Sequence, residues 1–245
     1  MIKFFRKIRY DLMEKNKTGK YLKYAIGEII LVVIGILVAL QINNWNETRK
    51  LNDLKQVYYQ QILVDLEIDK NYAEYVINRL DSSLTKYNNY LETYKQPYKD
   101  FTKIIQNIEI NDLGTLNLEF KTSTIKTIIN IGDIKLLEPN LRDKLTLYNA
   151  SKTQTLNLSN VNNVSANYIL QNAAMSGAGT YLRLQVQPEL VNFLEFEGKF
   201  PRIFLELEAY FAWRNFGEKG TIKSLNVLIE DADIIIDFIN KESEE

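Results

Sequence analysis

Two runs of this sequence bring carboxylates close enough to act together. Residues 193–216, FLEFEGKFPRIFLELEAYFAWRNF, set Glu195, Glu197, Glu206 and Glu208 among aromatic residues. Two carboxylates facing each other across a cleft can divide acid and base roles, and rings beside them can line a ligand pocket or form a docking patch. Phe204, Tyr210, Phe211 and Trp213 are the residues of this run assigned to a partner or ligand surface. The alternative is a helix that packs its rings inward and turns its glutamates to water, because acid–aromatic alternation at helical spacing separates two faces. Farther on, Glu230, Asp231, Asp233 and Asp237 offer oxygen ligands for a hard cation. They alternate with Ile234, Ile235, Ile236 and Phe238 and lack the glycine turn of a calcium loop, so they read as a solvated helix face. Ser176-Gly177-Ala178-Gly179 carries no lysine at phosphate-loop spacing and reads as a turn.

Composition removes most other chemistry. The chain contains neither cysteine nor histidine, which excludes Ser-His-Asp and Cys-His nucleophile pairs and His/Cys zinc sites. Lysine plus arginine nearly balance aspartate plus glutamate, for a net charge of -1, so no overall field attracts nucleic acid. No catalytic, cofactor-binding or metal-ligating residue is assigned, and the chain reads as a protein without enzymatic activity.

The elements that would position these residues begin with an apolar run. Residues 25–42, AIGEIILVVIGILVALQI, would span about 27 Å as a helix, close to a hydrocarbon core of about 30 Å. Tyr21 and Tyr24 before it and Trp45 after it suit the membrane interfaces. The run ends in bulky residues where a signal peptidase needs small ones, which points to an uncleaved signal-anchor. Lys3, Arg6, Lys7, Arg9, Lys15, Lys17, Lys20 and Lys23 precede it, opposed only by Asp11 and Glu14. The positive-inside rule then predicts a cytoplasmic N-terminus and an exported C-terminal part. Three segments follow: 1–24 as a basic amphipathic cytoplasmic segment, 25–45 as a transmembrane helix, and 46–245 as one extracytoplasmic α-helical domain. Ile2, Phe4, Phe5, Ile8 and Leu12 among the cations fit either a helix lying on anionic lipid or a leader that only sets topology.

One carboxylate interrupts the anchor. Glu28 lies about one turn inside the apolar run, where it can reach cytoplasmic headgroups and Lys20 or Lys23, or else mark a partner helix or proton path. Gly27, Gly35 and Ala39 share roughly one face, a small-residue spacing that lets two helices approach. With Trp45, these are the residues assigned to anchoring and helix packing.

Beyond Trp45, Leu66, Ala73, Val76, Leu80, Leu84, Tyr87, Leu91 and Tyr94 mark the stripe of a long helix ended by Pro97. Phe101, Ile104, Ile105 and Ile108 suggest a short helix, and Thr124 caps another, IKTIIN. A small β element between 110 and 122 stays open. Pro139 suits the first turn of a second long helix, with Leu141, Leu145, Tyr148, Val161 and Tyr168 inward and its end at Ser176-Gly177. Its Asn-rich middle, residues 157–167, weakens that assignment. A last helical region runs over residues 201–241, and Gly217 and Gly220 either break it or mark a close helix crossing. The fold class is all-α: one N-terminal transmembrane helix continuing into an extracytoplasmic helical bundle.

The anchor GEIILVVIGILVALQINNWNE over residues 27–47, the stretch IGDIKLLEPNLRDKLTLYN over 131–149 and the basic MIKFFRKIR start resemble a family of bacterial single-pass membrane proteins of unknown function. The resemblance implies a bacterial inner-membrane protein with a periplasmic helical domain and transfers no functional residue. The predicted function is a membrane-anchored interaction or assembly module of the cell envelope, partnered by the lipid bilayer and by a second copy or another envelope membrane protein, with no nucleic acid. A ligand-sensing or ligand-binding periplasmic domain is the alternative.

Overall fold

The structure is a computed structural model that describes residues 18–95, 113–180 and 187–244, together with Arg6, Tyr10, Pro97 and Ile108. The described residues form helices and connecting segments without a strand. The chain divides into two compact units, Met1–Val57 and Tyr58–Glu245. Helix α1 (Thr18–Thr93) contributes residues to both. The basic leader over 1–17 and the short helix proposed around Phe101 to Ile105 lie outside the described residues; Ile108 is helical and buried.

In the first unit, residues 29–40 of α1 are apolar on every face. Ile29, Ile30, Leu31, Val32, Val33, Ile34, Ile36 and Leu37 are all exposed. This is a helix long and apolar enough to cross a membrane, and none of its most apolar window is buried within the protein. After it the polar exit is stitched along the helix. Asn43 donates to Glu47 at 3.1 Å, the Thr48 hydroxyl donates to the Asn44 carbonyl at 2.9 Å, and the Arg49 guanidinium sits 5.6 Å from the Trp45 ring centroid.

In the second unit, α1 places Tyr59, Ile62, Leu66, Asp69, Ala73, Val76, Leu80 and Tyr90 in the interior. Alternating steps of three and four residues keep one seam facing its neighbours. Leu91 and Tyr94 stay exposed, contrary to the sequence pattern. The predicted stripe runs through Leu84; Ser83 and Leu84 are both partly buried, and Ser83 turns toward α5, where it bonds Arg214 and Glu218. The seam therefore reaches Tyr90 instead of Leu91.

An extended strap over residues 113–123 leads into helix α2 (Thr124–Ile131) and a 3-10 turn (Asp133–Leu136). Thr124 does not cap α2. Ser123 occupies the cap position without a side-chain bond, and the Thr124 amide instead donates to the Asp65 carboxylate of α1 at 2.9 Å. Strand pairing is absent from the strap because its polar groups bond to helices. Glu119 N–H donates to the Tyr72 hydroxyl at 2.7 Å, and the Asn163 amide donates to the Leu116 carbonyl at 2.8 Å.

Helix α3 (Pro139–Ser176) starts and ends as the sequence predicts. Pro139 takes the first position, Glu138 accepts from the Asn140 and Leu141 amides at 2.8 and 3.3 Å, and Gly177 closes the helix at φ 118. Leu141, Leu145 and Tyr148 are buried as expected, but Val161 and Tyr168 face outward. Their inward places belong to Thr155, Ser159, Ala166 and Ala173, small residues that a search for large apolar side chains passes over. The Asn-rich middle does not weaken the helix. Asn163 and Asn167 lie one turn apart and use their amides to hold the strap at Leu116, Asn117 and Thr115.

After a short helix α4 (Pro188–Phe193), helix α5 (Phe196–Glu244) runs unbroken through Pro201, Gly217 and Gly220. Its inward residues meet α1 and α3 in two apolar clusters. One contains Leu66, Leu145 and Ile235, and the other Tyr90, Ala173, Phe200 and Tyr210. Gly217 marks a close crossing: a Cβ there would lie 2.8 Å from Asn162 Cβ of α3, whereas one at Gly220 would meet nothing within 4 Å. Gly217→Ala is thus expected to lower unfolding free energy by about 1–3 kcal/mol despite its better helix propensity. Gly220→Ala should raise it by about 0.5–1 kcal/mol. Urea denaturation followed by circular dichroism of the full-length protein in detergent checks both, and equal effects at the two positions would disprove the crossing.

Candidate functional site

The aromatic run of α5 divides between interior and surface. Tyr210 is fully buried and its hydroxyl donates to the Leu113 carbonyl at 2.9 Å, while Phe211 packs on Tyr90 with ring centroids 5.6 Å apart. Phe204, partly buried, lies edge-on to Tyr94. Only Trp213 of the four predicted surface residues is exposed, and it pairs with exposed Phe216 at a centroid distance of 6.0 Å.

The glutamates of the run do not face one another. Glu195 and Glu197 are exposed, Glu206 accepts from Arg202 one turn away at 2.9 Å, and Glu208 receives the hydroxyls of Tyr90 and Tyr94 from α1. Burial, and then the bond to Glu208, push the Tyr90 phenol far above its usual pKa, so it stays a neutral donor. This tyrosine–carboxylate group ties α5 to the end of α1.

A polar cleft lies where α1, the strap and α3 meet. Asp69, only 3% exposed, accepts from the Thr122 hydroxyl at 2.5 Å, the Tyr148 hydroxyl at 3.0 Å and the Lys152 ammonium at 2.6 Å. Lys152 also bonds Thr122 and stands 4.9 Å from the Phe120 ring centroid. The Tyr148 phenol is held protonated by burial first and by Asp69 second. The cleft, about 140 Å³, is lined by Asp65, Thr122, Lys126, Tyr148, Asn149 and Lys152. Lys152 in its wall is matched to Asp69 behind it, an arrangement that fixes three segments in place.

A second polar layer separates the apolar clusters. Arg214 Nε donates to Glu218 at 2.8 Å and its terminal nitrogen bonds Ser83, whose hydroxyl donates to Glu218 at 3.0 Å. Burial opposes the charge on Arg214, but Glu218 and Tyr210 more than offset it, and the guanidinium pKa rises. The acidic segment near the C-terminus is unlike a cation site: Asp233 pairs with Lys70 at 2.5 Å. Among the described residues no group of three potential metal ligands gathers.

Along the apolar segment, Glu28 is half-buried, Ala39 and Trp45 are exposed, and a Cβ added at Gly27 or Gly35 would meet nothing within 4 Å. Both glycines therefore lie on an open helix surface.

A match to the family of unknown function DUF6090 covers residues 28–156, from the carboxylate in the apolar run to the third turn beyond Tyr148. The chain belongs to this family. The matched segment holds the apolar run, the strap, α2 and the residues of the Asp69–Lys152 cluster. No curated protein and no solved structure matches the chain.

Sequence reasoning missed Asp69, Thr122 and Lys152, whose partners are remote along the chain and leave no local spacing. Arg214 and Glu218 were legible as an i,i+4 pair, a spacing that brings side chains together on one helix face. Replacing Lys152 by Met should destabilise the protein by about 3 kcal/mol, because it strands a buried carboxylate. Adding Asp69→Asn in the same chain should recover part of that loss. Urea midpoints of the single and double variants measure the coupling, and strict additivity would show that the pair does not interact.

Proposed function

We propose that the chain is a membrane-anchored helical assembly module of the bacterial cell envelope without catalytic activity. The N-terminus is cytoplasmic, residues 25–45 span the inner membrane, and residues 46–245 form a periplasmic helical bundle. The observation that carries the assembly reading is the outward aromatic pair Trp213 and Phe216, open to solvent beside a core that already encloses Tyr210 and Phe211. Large exposed rings next to one another are characteristic of surfaces that dock onto other proteins.

The anchoring follows from solvation. An apolar helix that buries none of its side chains within the chain would expose them to water, and a bilayer removes that cost. The orientation follows from the cations ahead of the run, and the bacterial placement from the family resemblance of the anchor and its INNWNE exit. Of the rings a sensing pocket would need, Tyr210 is buried with its hydroxyl on the Leu113 carbonyl and Trp213 faces outward, which favours assembly over ligand sensing.

Alkaline carbonate should leave the full-length protein in the membrane pellet, and protease added to spheroplasts should remove the C-terminal part. Release into the supernatant would end the anchoring proposal, and protection of the C-terminal part would reverse the orientation. Glu28→Gln tests the membrane carboxylate by blue native electrophoresis of detergent extracts. Unchanged complexes are expected if Glu28 reaches the headgroups; dissociation would assign it to a partner helix.

A further inference from the structure

Helix α3 is built inside out over its second half. Small and polar residues, Thr155, Ser159, Ala166 and Ala173, face the core, while Val161, Val164, Tyr168 and Met175 face outward, with Tyr168 64% and Met175 87% exposed. No charged residue occurs from 153 to 182, although a quarter of the chain is charged. A helix face meant for water carries charges. A face depleted of charge and enriched in Tyr and Met has the composition of a protein interface.

This face continues onto α5. Val161 and Phe216 immediately precede Asn162 and Gly217, the residues in contact where the two helices cross. Leu205, Trp213 and Phe216 therefore extend the apolar surface from the same crossing. The exposed parts of these side chains amount to roughly 900 Å², against about 800 Å² per partner in a standard protein interface and a few hundred on ordinary monomers.

We propose that this α3–α5 face is the interface with a second copy of the same chain, packed about a two-fold axis. The inference rests on the assembly reading above and names its partner. The α3 part of this face carries no charge, so it gains nothing from a charged partner and penalises one, since each opposing charge would lose water there without finding a counter-ion. The face itself meets this requirement. A two-fold arrangement pairs it with its own copy, and anchoring in one membrane plane keeps two copies at high effective concentration.

The absence of native cysteine makes the test direct. Single cysteines at Val161, Val164, Tyr168 and Phe216 in the full-length protein, treated in isolated membranes with a bismaleimide, should give a product of twice the chain mass. Asp143→Cys, on the exposed first turns of α3, should not. Adding Val164→Glu to the crosslinking Tyr168→Cys chain should cut the dimer product by about tenfold or more, because a carboxylate would be buried without a partner. Circular dichroism of that variant should be unchanged, since Val164 takes no part in the core. Products of other masses only would overturn the second-copy proposal and leave an assembly role intact. Face cysteines that react freely with monofunctional maleimide and give no product of any mass would overturn both. Cysteines shielded from maleimide without any adduct would show that the chain covers this face itself, which also refutes the proposal.

Discussion

Three helices with apolar seams at three- and four-residue spacing have no fixed register, because sliding one by seven residues presents an equivalent seam to its neighbours. Buried polar groups remove that freedom here. Asp69 is satisfied only when Thr122, Tyr148 and Lys152 stand at one level, and Ser83, Arg214 and Glu218 set a second level farther along α1. Slipping either neighbour would strand a carboxylate in a core that excludes water. That penalty is several kcal/mol, far more than two exposed charges could impose. The gain lies in uniqueness more than in strength, since a buried pair adds little over apolar packing of the same volume.

With the levels fixed, the strap becomes possible. Residues 113–123 have no strand partner, yet several of the backbone groups that a sheet would satisfy are taken by side chains already held in place. Tyr72 and Asp65 on α1, Asn163 on α3 and Tyr210 on α5 supply those bonds. This explains why asparagines and a tyrosine occupy helix positions that intrinsic propensity disfavours. They are spaced for the strap. The same arrangement accounts for Gly217: α3 and α5 must approach closely where Asn162 sits, and a methyl group would separate them.

The all-helical class, the apolar run and the ends of α3 were legible because they depend on local signals: periodicity, a proline at the first turn and a glycine in left-handed conformation at the last. What escaped the sequence depended on pairing at a distance. Ser83 enters the seam beside Leu84 because of Arg214, more than a hundred residues away. Thr124 lost its capping role to Asp65 for the same reason. Of the four rings predicted for a surface, Tyr210, Phe211 and most of Phe204 turned inward, since a helix run rich in aromatics fills its core side first. Local pattern gives the faces of a helix. It does not say which neighbour each face meets.

The outward half of α3 shows where that rule inverts. Ordinary solvation would place Thr155, Ser159 and the asparagines outside and Val161, Val164 and Tyr168 inside, and the sequence pattern predicts an inward Val161 and Tyr168. The interior instead selects for small volume, because α1, α3 and α5 converge there and the strap needs amide donors at the same level. Large apolar residues excluded from the interior would be replaced by charged ones on a surface that stayed wet, at almost no structural cost. An uncharged stretch that long is what the proposed pairing of the α3–α5 face would require. In that proposal α3 packs on both sides, against the core on one and against a second copy on the other.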